Sequence, residues 1–415
     1  MADFGKVPGT ATLDVVPFKA QVEEQKLQDL KLLLKLSPIS PPTFESSGLV
    51  NRRYGVPRDW LVNAKAYWLD KFDWRKHEDY INSFPQFTAR VKDFNDAKIE
   101  LDIHFVALFS QKKDAIPLVL YHGWPGSFLE FLAILDLLRT KYTPDTLPYH
   151  VIVPSLPGYT YSGGPPIDSD FCVQDASLAL DKLITGLGFK GYLAQGGDIG
   201  SRVARFQAAG CDACKGMHIN FQSMNPPPNA DDLPILDIEK QSLSRGSSFR
   251  EVGRAYAIQH GTKTATIGHV LSSSPLALLS WISEKFLDWS DEDPELDAIL
   301  ASVTLYWLTE TFARCIYPYR DIAGSKERPR ISSVIGVPHP PPYVSKPSGY
   351  SFFPKELLPT PISWVGTTCN LVSSASHTAG GHFAAMEKPA ELLADVEEFV
   401  TKVTLQPGFS LTDFY

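Results

Sequence analysis

The spacing of apolar and polar positions divides the chain into segments of two kinds. Residues 1–95 and 226–320 carry apolar side chains at helical spacing, whereas between them short apolar runs alternate with amphipathic stretches. Such short runs are typical of strands that are buried on both faces of a sheet. The predicted helices of the two outer segments are Gln21–Leu36, Trp60–Phe72, Trp74–Phe84, Phe249–His260, Pro275–Trp289 and Pro294–Thr311.

Buried strands that alternate with amphipathic helices predict an α/β fold, with a mostly parallel sheet covered by helices on both faces. The predicted strands are Ile99–Phe109, Pro117–Tyr121, Tyr149–Pro154, Gly191–Gln195, Gly216–Phe221, Gly349–Phe353 and Ile362–Thr367. The segment Ala323–Ser348 is rich in proline, glycine and serine and is predicted to be a long loop. A last amphipathic helix is expected over Pro389–Val403.

These patterns predict how the chain is organised into structural units. We expect an N-terminal meander over residues 1–95 that packs on the rest, and the first part of the sheet domain over 96–225. The run Asn225–Asn229 contains three prolines and marks the next boundary. A helical cap is then predicted over 226–320, followed by the second part of the sheet domain over 321–415.

Composition and charge exclude several classes of function. The 415 residues are 44% hydrophobic and 21% charged, with a net charge of −8, so no electrostatic footprint for nucleic acid is expected. The longest apolar run, Phe128–Leu138, is interrupted by Glu130 and Asp136, so no membrane anchor is predicted. The residues Met1–Lys6 lack the pattern of a signal peptide, and a cytoplasmic location is expected. The sequence leaves a homodimer open.

The number and spacing of the cysteines give no reason to expect a disulfide framework, a metal or another cofactor. The five cysteines are scattered, and Cys211–Cys214 is a lone CxxC pair without the second pair that a zinc site needs. Neither a cofactor nor a metal is therefore predicted.

The most informative motif is Gly196-Gly197-Asp198-Ile199-Gly200, which is a G-x-S-x-G turn with aspartate in the place of serine. In that pattern a strand reverses abruptly into a helix, and the middle side chain is held up as the nucleophile. Attack by a carboxylate on an sp³ carbon gives an ester that water can hydrolyse. Asp198 therefore predicts alkyl transfer rather than peptide cleavage.

The sequence His122-Gly123-Trp124-Pro125-Gly126 directly follows the predicted strand Pro117–Tyr121. A loop of this type supplies one oxyanion-hole N–H, and the residue after the nucleophile supplies the other. The predicted donors are the backbone N–H groups of Trp124 and Ile199. Pro125 cannot donate, but it can hold the turn, including as a cis bond.

The general base should follow the last strand, and its acidic partner should follow the strand before that. The run from Gly380 to Ala385 contains His382, which is preferred over His377 because paired glycines allow close approach to the nucleophile. Glu356 is the predicted partner that orients the imidazole. Asp321 and Glu327 are the alternatives for that role.

Most of the other histidines are predicted to have surface or packing roles. They are His77, His104, His218, His260, His269 and His339.

An alkylating aspartate also needs a proton donor for the oxygen that leaves carbon. Tyrosine suits this role because its pKa near 10 keeps it protonated at neutral pH. Tyr256 and Tyr319 in the cap are the candidates, although Tyr317 lies only two residues from Tyr319.

Together these motifs resemble the microsomal-type epoxide hydrolase family of the α/β-hydrolase fold, and within it the soluble enzymes of filamentous fungi. The likeness spans nearly the whole chain and extends to Phe353-Pro354-Lys355-Glu356-Leu357 and to Tyr306-Trp307-Leu308-Thr309-Glu310. It implies that Asp198 is the nucleophile, His382 the base and Glu356 its partner. It also implies that Tyr256 and Tyr319 protonate the opening ring of a small-molecule epoxide, with water as the second substrate.

Two other functions remain open at this point. A haloalkane dehalogenase would share the aspartate, but such enzymes usually hold the halide with a tryptophan next to the nucleophile, where this chain has Ile199. A non-catalytic small-molecule-binding protein on the same scaffold would be expected to lack some of the catalytic groups.

Overall fold

A computed structural model describes residues 3–94, 99–323 and 343–415. Within these residues the fold is built around one sheet of nine strands. The strands are β1 (Val15–Pro17), β2 (Gln86–Val91), β3 (Leu101–Leu108), β4 (Ile116–Tyr121), β5 (Tyr149–Pro154), β6 (Tyr192–Gly196), β7 (Cys214–Ile219), β8 (Val344–Phe352) and β9 (Cys369–Ser376).

The strand order across the sheet is β1-β2-β3-β5-β4-β6-β7-β8-β9. The β1–β2, β2–β3 and β3–β5 pairs are antiparallel, whereas all neighbouring pairs from β5 through β4, β6, β7 and β8 to β9 are parallel. The prediction of a mostly parallel sheet in an α/β fold is therefore confirmed.

Helices cover the sheet and form the segment between β7 and β8. They are α1 (Glu24–Leu36), α2 (Arg58–Asp70), α3 (Trp74–Ile81), α4 (Leu132–Lys141), α5 (Val173–Gly186), α6 (Asp198–Gly210), α7 (Asp237–Ser248), α8 (Ala255–Thr262), α9 (Thr264–Ser272), α10 (Pro275–Trp289), α11 (Leu296–Leu308), α12 (Phe312–Cys315), α13 (Arg320–Ala323), α14 (Ile362–Gly366), α15 (Ala384–Glu387) and α16 (Pro389–Thr404).

The centre of the sheet positions the site. Every residue of β4, β5 and β6 is buried, as expected for parallel strands that helices cover on both faces. β4 and β6 are direct neighbours, and Tyr121 lies opposite Gly196 at their carboxyl ends. The loop after β4 and the turn after β6 therefore emerge side by side, although they are far apart in the sequence.

The N-terminal segment contributes more to the sheet than its helical patterns predict. The helices α1, α2 and α3 form where expected, but β1 and β2 were not predicted and extend the antiparallel edge of the sheet. β1 contains only three residues, too few to establish a period of two along the sequence.

The prediction of a strand over Ile362–Thr367 is wrong. Pro361 precedes the short helix α14, which buries Trp364 and Val365. The strand of this region is β9, whose side chains are mostly half-buried or exposed and include several serines. An edge strand does not need two apolar faces, so its sequence lacks the signal of a buried strand.

Two further predictions differ from the structure in their boundaries. The predicted helix Phe249–His260 is interrupted by a π-helical turn over Phe249–Gly253, and α8 begins after it. The predicted loop Ala323–Ser348 overlaps β8, which begins at Val344. Its residues 324–342, which include Glu327 and His339, lie outside the described residues.

The N-terminal segment contacts two later parts of the chain. Arg52 forms an ion pair with Asp293, and the Tyr67 hydroxyl donates to Asp297 at 2.9 Å. The Tyr80 hydroxyl donates to Asp136 of α4 at 2.5 Å. These contacts join the segment both to α4, beside the sheet, and to the helical segment that follows β7.

Within the described parts of the chain, no single helix is both long and apolar enough to cross a membrane. The pair α9 and α10 meets the length and composition criteria only jointly, and the two helices are bent by 117° at their junction.

Candidate active site

Asp198 lies at the sharp turn between β6 and α6. Its φ angle is +45°, in the left-handed region that is uncommon for residues other than glycine. A Cβ atom on Gly200 would lie 2.2 Å from the carbonyl oxygen of Tyr121, so only glycine lets α6 approach β4 this closely. The turn therefore holds the buried Asp198 carboxylate at the end of the central strands.

His382 and Glu356 come together from two loops that the sheet brings side by side. Lys355 and Gly381 form an isolated parallel bridge, which places the residues after them next to each other. The Nδ1 atom of His382 lies 2.6 Å from Oε1 of Glu356, and its Nε2 atom lies 3.5 Å from Oδ2 of Asp198. All three side chains are buried.

The charges of the two neighbouring carboxylates determine the protonation state of His382. Burial alone would lower the pKa of the imidazole, but the carboxylates of Glu356 and Asp198 outweigh burial and raise the pKa. With Nδ1 facing Glu356, the Nε2 atom is the one that faces Asp198. The resting site therefore holds an imidazolium between two carboxylates.

The backbone N–H of Trp124 donates to Oδ1 of Asp198 at 2.8 Å. The Trp124–Pro125 peptide bond is cis. Ile199 is buried in the first turn of α6, where backbone N–H groups lack intrahelical acceptors. Both predicted donors of the oxyanion hole thus lie next to the predicted nucleophile, and Trp124 already binds one of its oxygens.

Tyr256 of α8 and Tyr319, which precedes α13, are both buried, and their ring centroids lie 5.7 Å apart. Burial, and then the charge of Asp198, raise the pKa of the Tyr256 hydroxyl well above its ordinary value. Burial likewise raises the pKa of Tyr319, with Tyr256 and Asp198 adding to the effect. Both phenols are therefore protonated at neutral pH.

The indole of Trp124 packs against both phenols. It stacks on Tyr256 with a centroid distance of 5.2 Å and contacts Tyr319 edge-on at 5.9 Å. Tyr317, in contrast, packs against Phe171 at 5.2 Å. Of the two neighbouring tyrosines, Tyr319 is the one that lies beside Tyr256 and Trp124.

The alternative residues for the acid and the base are engaged elsewhere. His377 lies 2.7 Å from Asp395 and stacks on Phe353. Asp321 forms an ion pair with Arg202 at 2.8 Å. Glu327, outside the described ranges, receives no structural assignment.

His260 has a packing role at the site itself. Its ring centroid lies 4.6 Å from that of Trp124 and 4.9 Å from that of Tyr319, and its Nε2 accepts from the indole N–H of Trp281 at 3.0 Å. Burial lowers the pKa of His260 to about 3, so the ring is neutral. The sequence predicted a surface or packing role for His260, but it did not indicate that His260 packs within the site.

Sequence reasoning missed two titratable residues beside the site. The Nζ atom of Lys285 lies 4.9 Å from the ring centroid of Tyr256 and 5.1 Å from that of Trp281, within the range of cation–π contacts. Glu130 lines a small cavity next to Asp198 and His382. The available signal for Glu130 was a lone acidic residue inside an apolar run, close after the Trp124 loop.

A larger cleft of about 840 Å³ is lined in part by Tyr256. Its wall includes Tyr256, Trp281, Lys285 and Trp289 together with Arg52 of the N-terminal segment.

Metal-ligand clusters of three or more His, Cys, Asp or Glu side chains are absent from the part of the chain that the structure describes. The Cys211 and Cys214 thiols are buried, and burial raises the pKa of each to about 12.

Two family models match the chain. The model described as the epoxide hydrolase N terminus matches residues 15–131, and the model described as the alpha/beta hydrolase fold matches residues 116–232.

Full-length relatives cover almost the whole chain. A putative epoxide hydrolase of Dothistroma septosporum is 50% identical over 403 residues, which cover 96% of this chain and 93% of the relative. Epoxide hydrolase 1 of Sus scrofa is 29% identical, with coverage of 92% and 88%. The solved structure of Aspergillus niger epoxide hydrolase has a TM-score of 0.88 and 47% identity, covering 97% of this chain and all of that one.

Proposed function

Since the chain belongs to the epoxide hydrolase family and is an epoxide hydrolase, we propose that it converts its epoxide to a diol through a covalent ester on Asp198. One observation carries this proposal. The Asp198 carboxylate lies between the N–H of Trp124, at 2.8 Å, and Nε2 of His382, at 3.5 Å, with two protonated phenols in the same site.

In the first step, Oδ2 of Asp198 attacks a ring carbon of the epoxide, because Oδ1 is held by Trp124. A carbon–oxygen bond to Asp198 forms, and the ring bond to the epoxide oxygen breaks. Tyr256 and Tyr319 share the proton that this oxygen requires, so it leaves as a hydroxyl group rather than as an alkoxide. The product of this step is an alkyl ester and a transient phenolate.

Alkylation itself prepares the base. The ester removes the negative charge of Asp198, which is one of the two groups that raise the pKa of His382. The pKa of the imidazole therefore falls, and its proton passes to the phenolate, which becomes a phenol again. His382 is then neutral, with Nε2 free to accept a proton from water and Nδ1 still bound to Glu356.

In the second step, His382 takes a proton from water, and the resulting hydroxide attacks the carbonyl carbon of the ester. The N–H groups of Trp124 and Ile199 stabilise the negative charge on the carbonyl oxygen. The bond from that carbon to the former Oδ2 atom breaks, and the diol leaves with this oxygen and a proton. The site returns to a carboxylate next to an imidazolium, so protons balance over the cycle.

We further propose a division of work between the predicted segments. The sheet domain (96–225 and 321–415) supplies the nucleophile, the base and the carboxylate that orients the base, and the cap (226–320) supplies the proton donors. In support, Tyr256 lies on α8, and the N–H of His382 donates to the carbonyl oxygen of Trp289 on α10 at 2.9 Å. The aromatic walls around Tyr256 favour epoxides with apolar substituents.

Removing either phenol tests the role of the proton donors. We expect Tyr256→Phe or Tyr319→Phe to slow ester formation by about 10–100-fold, and the double variant by about 10²–10⁴-fold, because general acid catalysis is lost. The rate of ester hydrolysis should change little. Rapid-quench mass spectrometry, with styrene oxide as the probe, measures both steps.

The matched control for this experiment is Tyr317→Phe, which removes a hydroxyl from the residue that packs against Phe171. It should leave both rates unchanged. A Tyr256→Phe variant that slows hydrolysis but not ester formation would contradict the assigned role.

A further inference from the structure

A second, smaller cavity lies next to Asp198. It is a cavity of about 10 Å³, the volume that one water molecule requires. Asp198, His382, Glu130 and Asn220 contribute polar groups to its wall, whereas neither Tyr256 nor Tyr319 lines it. The cavity is therefore distinct from the cleft that Tyr256 lines, and it touches both Asp198 and His382.

The carboxyl group of Glu130 reaches the wall of this cavity through the space beside Gly126. A Cβ atom on Gly126 would lie 1.3 Å from Oε1 of Glu130, so the carboxyl group occupies space that only a glycine leaves free. The backbone of Ser127 provides a hydrogen bond to the carboxyl group. Among the described residues, no lysine or arginine forms an ion pair with Glu130.

The protonation of Glu130 suits a position next to two other carboxylates. Burial raises the pKa of its carboxyl group to about 8, and the charge of Asp198 adds to this effect while His382 opposes it. At pH 7 the group is mainly a neutral acid that can accept a hydrogen bond through its carbonyl oxygen. A third negative charge here would hold the proton on His382, so that the imidazole could not accept a proton from water.

We propose that Glu130 is a positioning residue that holds the hydrolytic water in this cavity, aimed at the ester carbonyl of Asp198. The inference rests on the ester mechanism proposed above. His382 removes one proton from the water, and Glu130 accepts the hydrogen bond from the other. Glu130 itself neither gains nor loses a proton over the step.

The two half-reactions separate this role from a structural one. In Glu130→Leu, which keeps a similar volume but has no acceptor, ester hydrolysis should slow about 10–100-fold, because a misplaced water reacts poorly. Ester formation should stay within about threefold of the wild-type rate, so the alkyl-enzyme accumulates in the steady state. In Glu130→Gln, which retains a carbonyl acceptor, most of the hydrolysis rate should return.

Rapid-quench intact mass spectrometry with styrene oxide measures both rates, and ester formation at the normal rate serves as the folding control. If the leucine variant does not fold, Glu130→Met gives the same test, since a flexible thioether fills irregular space. An apolar variant that hydrolyses the ester at the wild-type rate overturns the inference. So does one that slows both steps equally. Absence of any ester in His382→Gln would instead contradict the mechanism on which the inference rests.

Discussion

Replacing Asp198 with asparagine is expected to reduce kcat/KM for any epoxide by at least about 10⁴-fold, because an amide cannot attack the ring carbon. Asparagine keeps the shape of the side chain and tolerates the left-handed backbone at this turn, where φ is +45°. The loss should therefore come from chemistry rather than from folding. Chromatographic measurement of diol formation gives the rate.

The matched control is Asp181→Asn, which changes a partly buried carboxylate that accepts from the Tyr192 hydroxyl at 2.8 Å. An amide oxygen can accept the same hydrogen bond, so this variant should keep its activity. The intact mass of the Asp198→Asn protein must be checked after the assay, because hydrolysis of the amide would regenerate aspartate. Activity above about 1% of wild type in protein that still carries asparagine would exclude Asp198 as the nucleophile.

Replacing His382 with glutamine is expected to convert the enzyme into one that stops at the ester. Its kcat should fall about 10²–10⁴-fold, since glutamine cannot remove a proton from water. Ester formation does not need the base and should continue, so one substrate mass per chain should appear on the intact protein.

The control for this variant is His377→Gln. His377 also lies beside a carboxylate, at 2.7 Å from Asp395, but it is not part of the proposed triad. This variant should turn over normally and accumulate no adduct. Loss of activity in His382→Gln without any adduct would contradict the assignment of the base.

Acid pH should reproduce part of this effect in the wild-type enzyme. In the resting enzyme, Glu356 and Asp198 raise the pKa of His382, so the imidazole is protonated. In the ester the Asp198 charge is gone and the pKa is lower, with Glu356 and Glu130 as the remaining carboxyl neighbours. As the pH falls through this lower pKa, the imidazole becomes protonated again, hydrolysis slows and the steady-state amount of ester rises.

The proximity of Asp198, Glu356 and His382 could be predicted from the sequence because each stands in a short motif whose place in the fold is fixed by strand order. The turn at Asp198 and the loop at Trp124 follow strands that are neighbours in the sheet, and hydrophobic patterns locate both strands well. The Glu356 and His382 loops are likewise joined by the bridge between Lys355 and Gly381.

What the sequence could not predict depends on packing between distant segments. Glu130 interrupts an apolar run, and only the three-dimensional structure reveals that its carboxyl group reaches the cavity beside Asp198. Lys285 lies on α10 and approaches the Tyr256 ring only because α8 and α10 pack there. The edge strand β9 was missed for a related reason, since its half-exposed side chains carry no pattern of burial.

The proposed segment boundaries, the homodimer and the cytoplasmic location stay predictions from the sequence.

A single turnover in ¹⁸O-labelled water, with enzyme in excess over epoxide, tests the covalent bond to Asp198 most directly. Because water attacks the carbonyl carbon of the ester, the account predicts unlabelled diol and one heavy oxygen in the peptide that contains Asp198. Heavy oxygen in the diol after that first turnover, with an unlabelled Asp198 peptide, would mean that water opens the ring itself and would contradict the account.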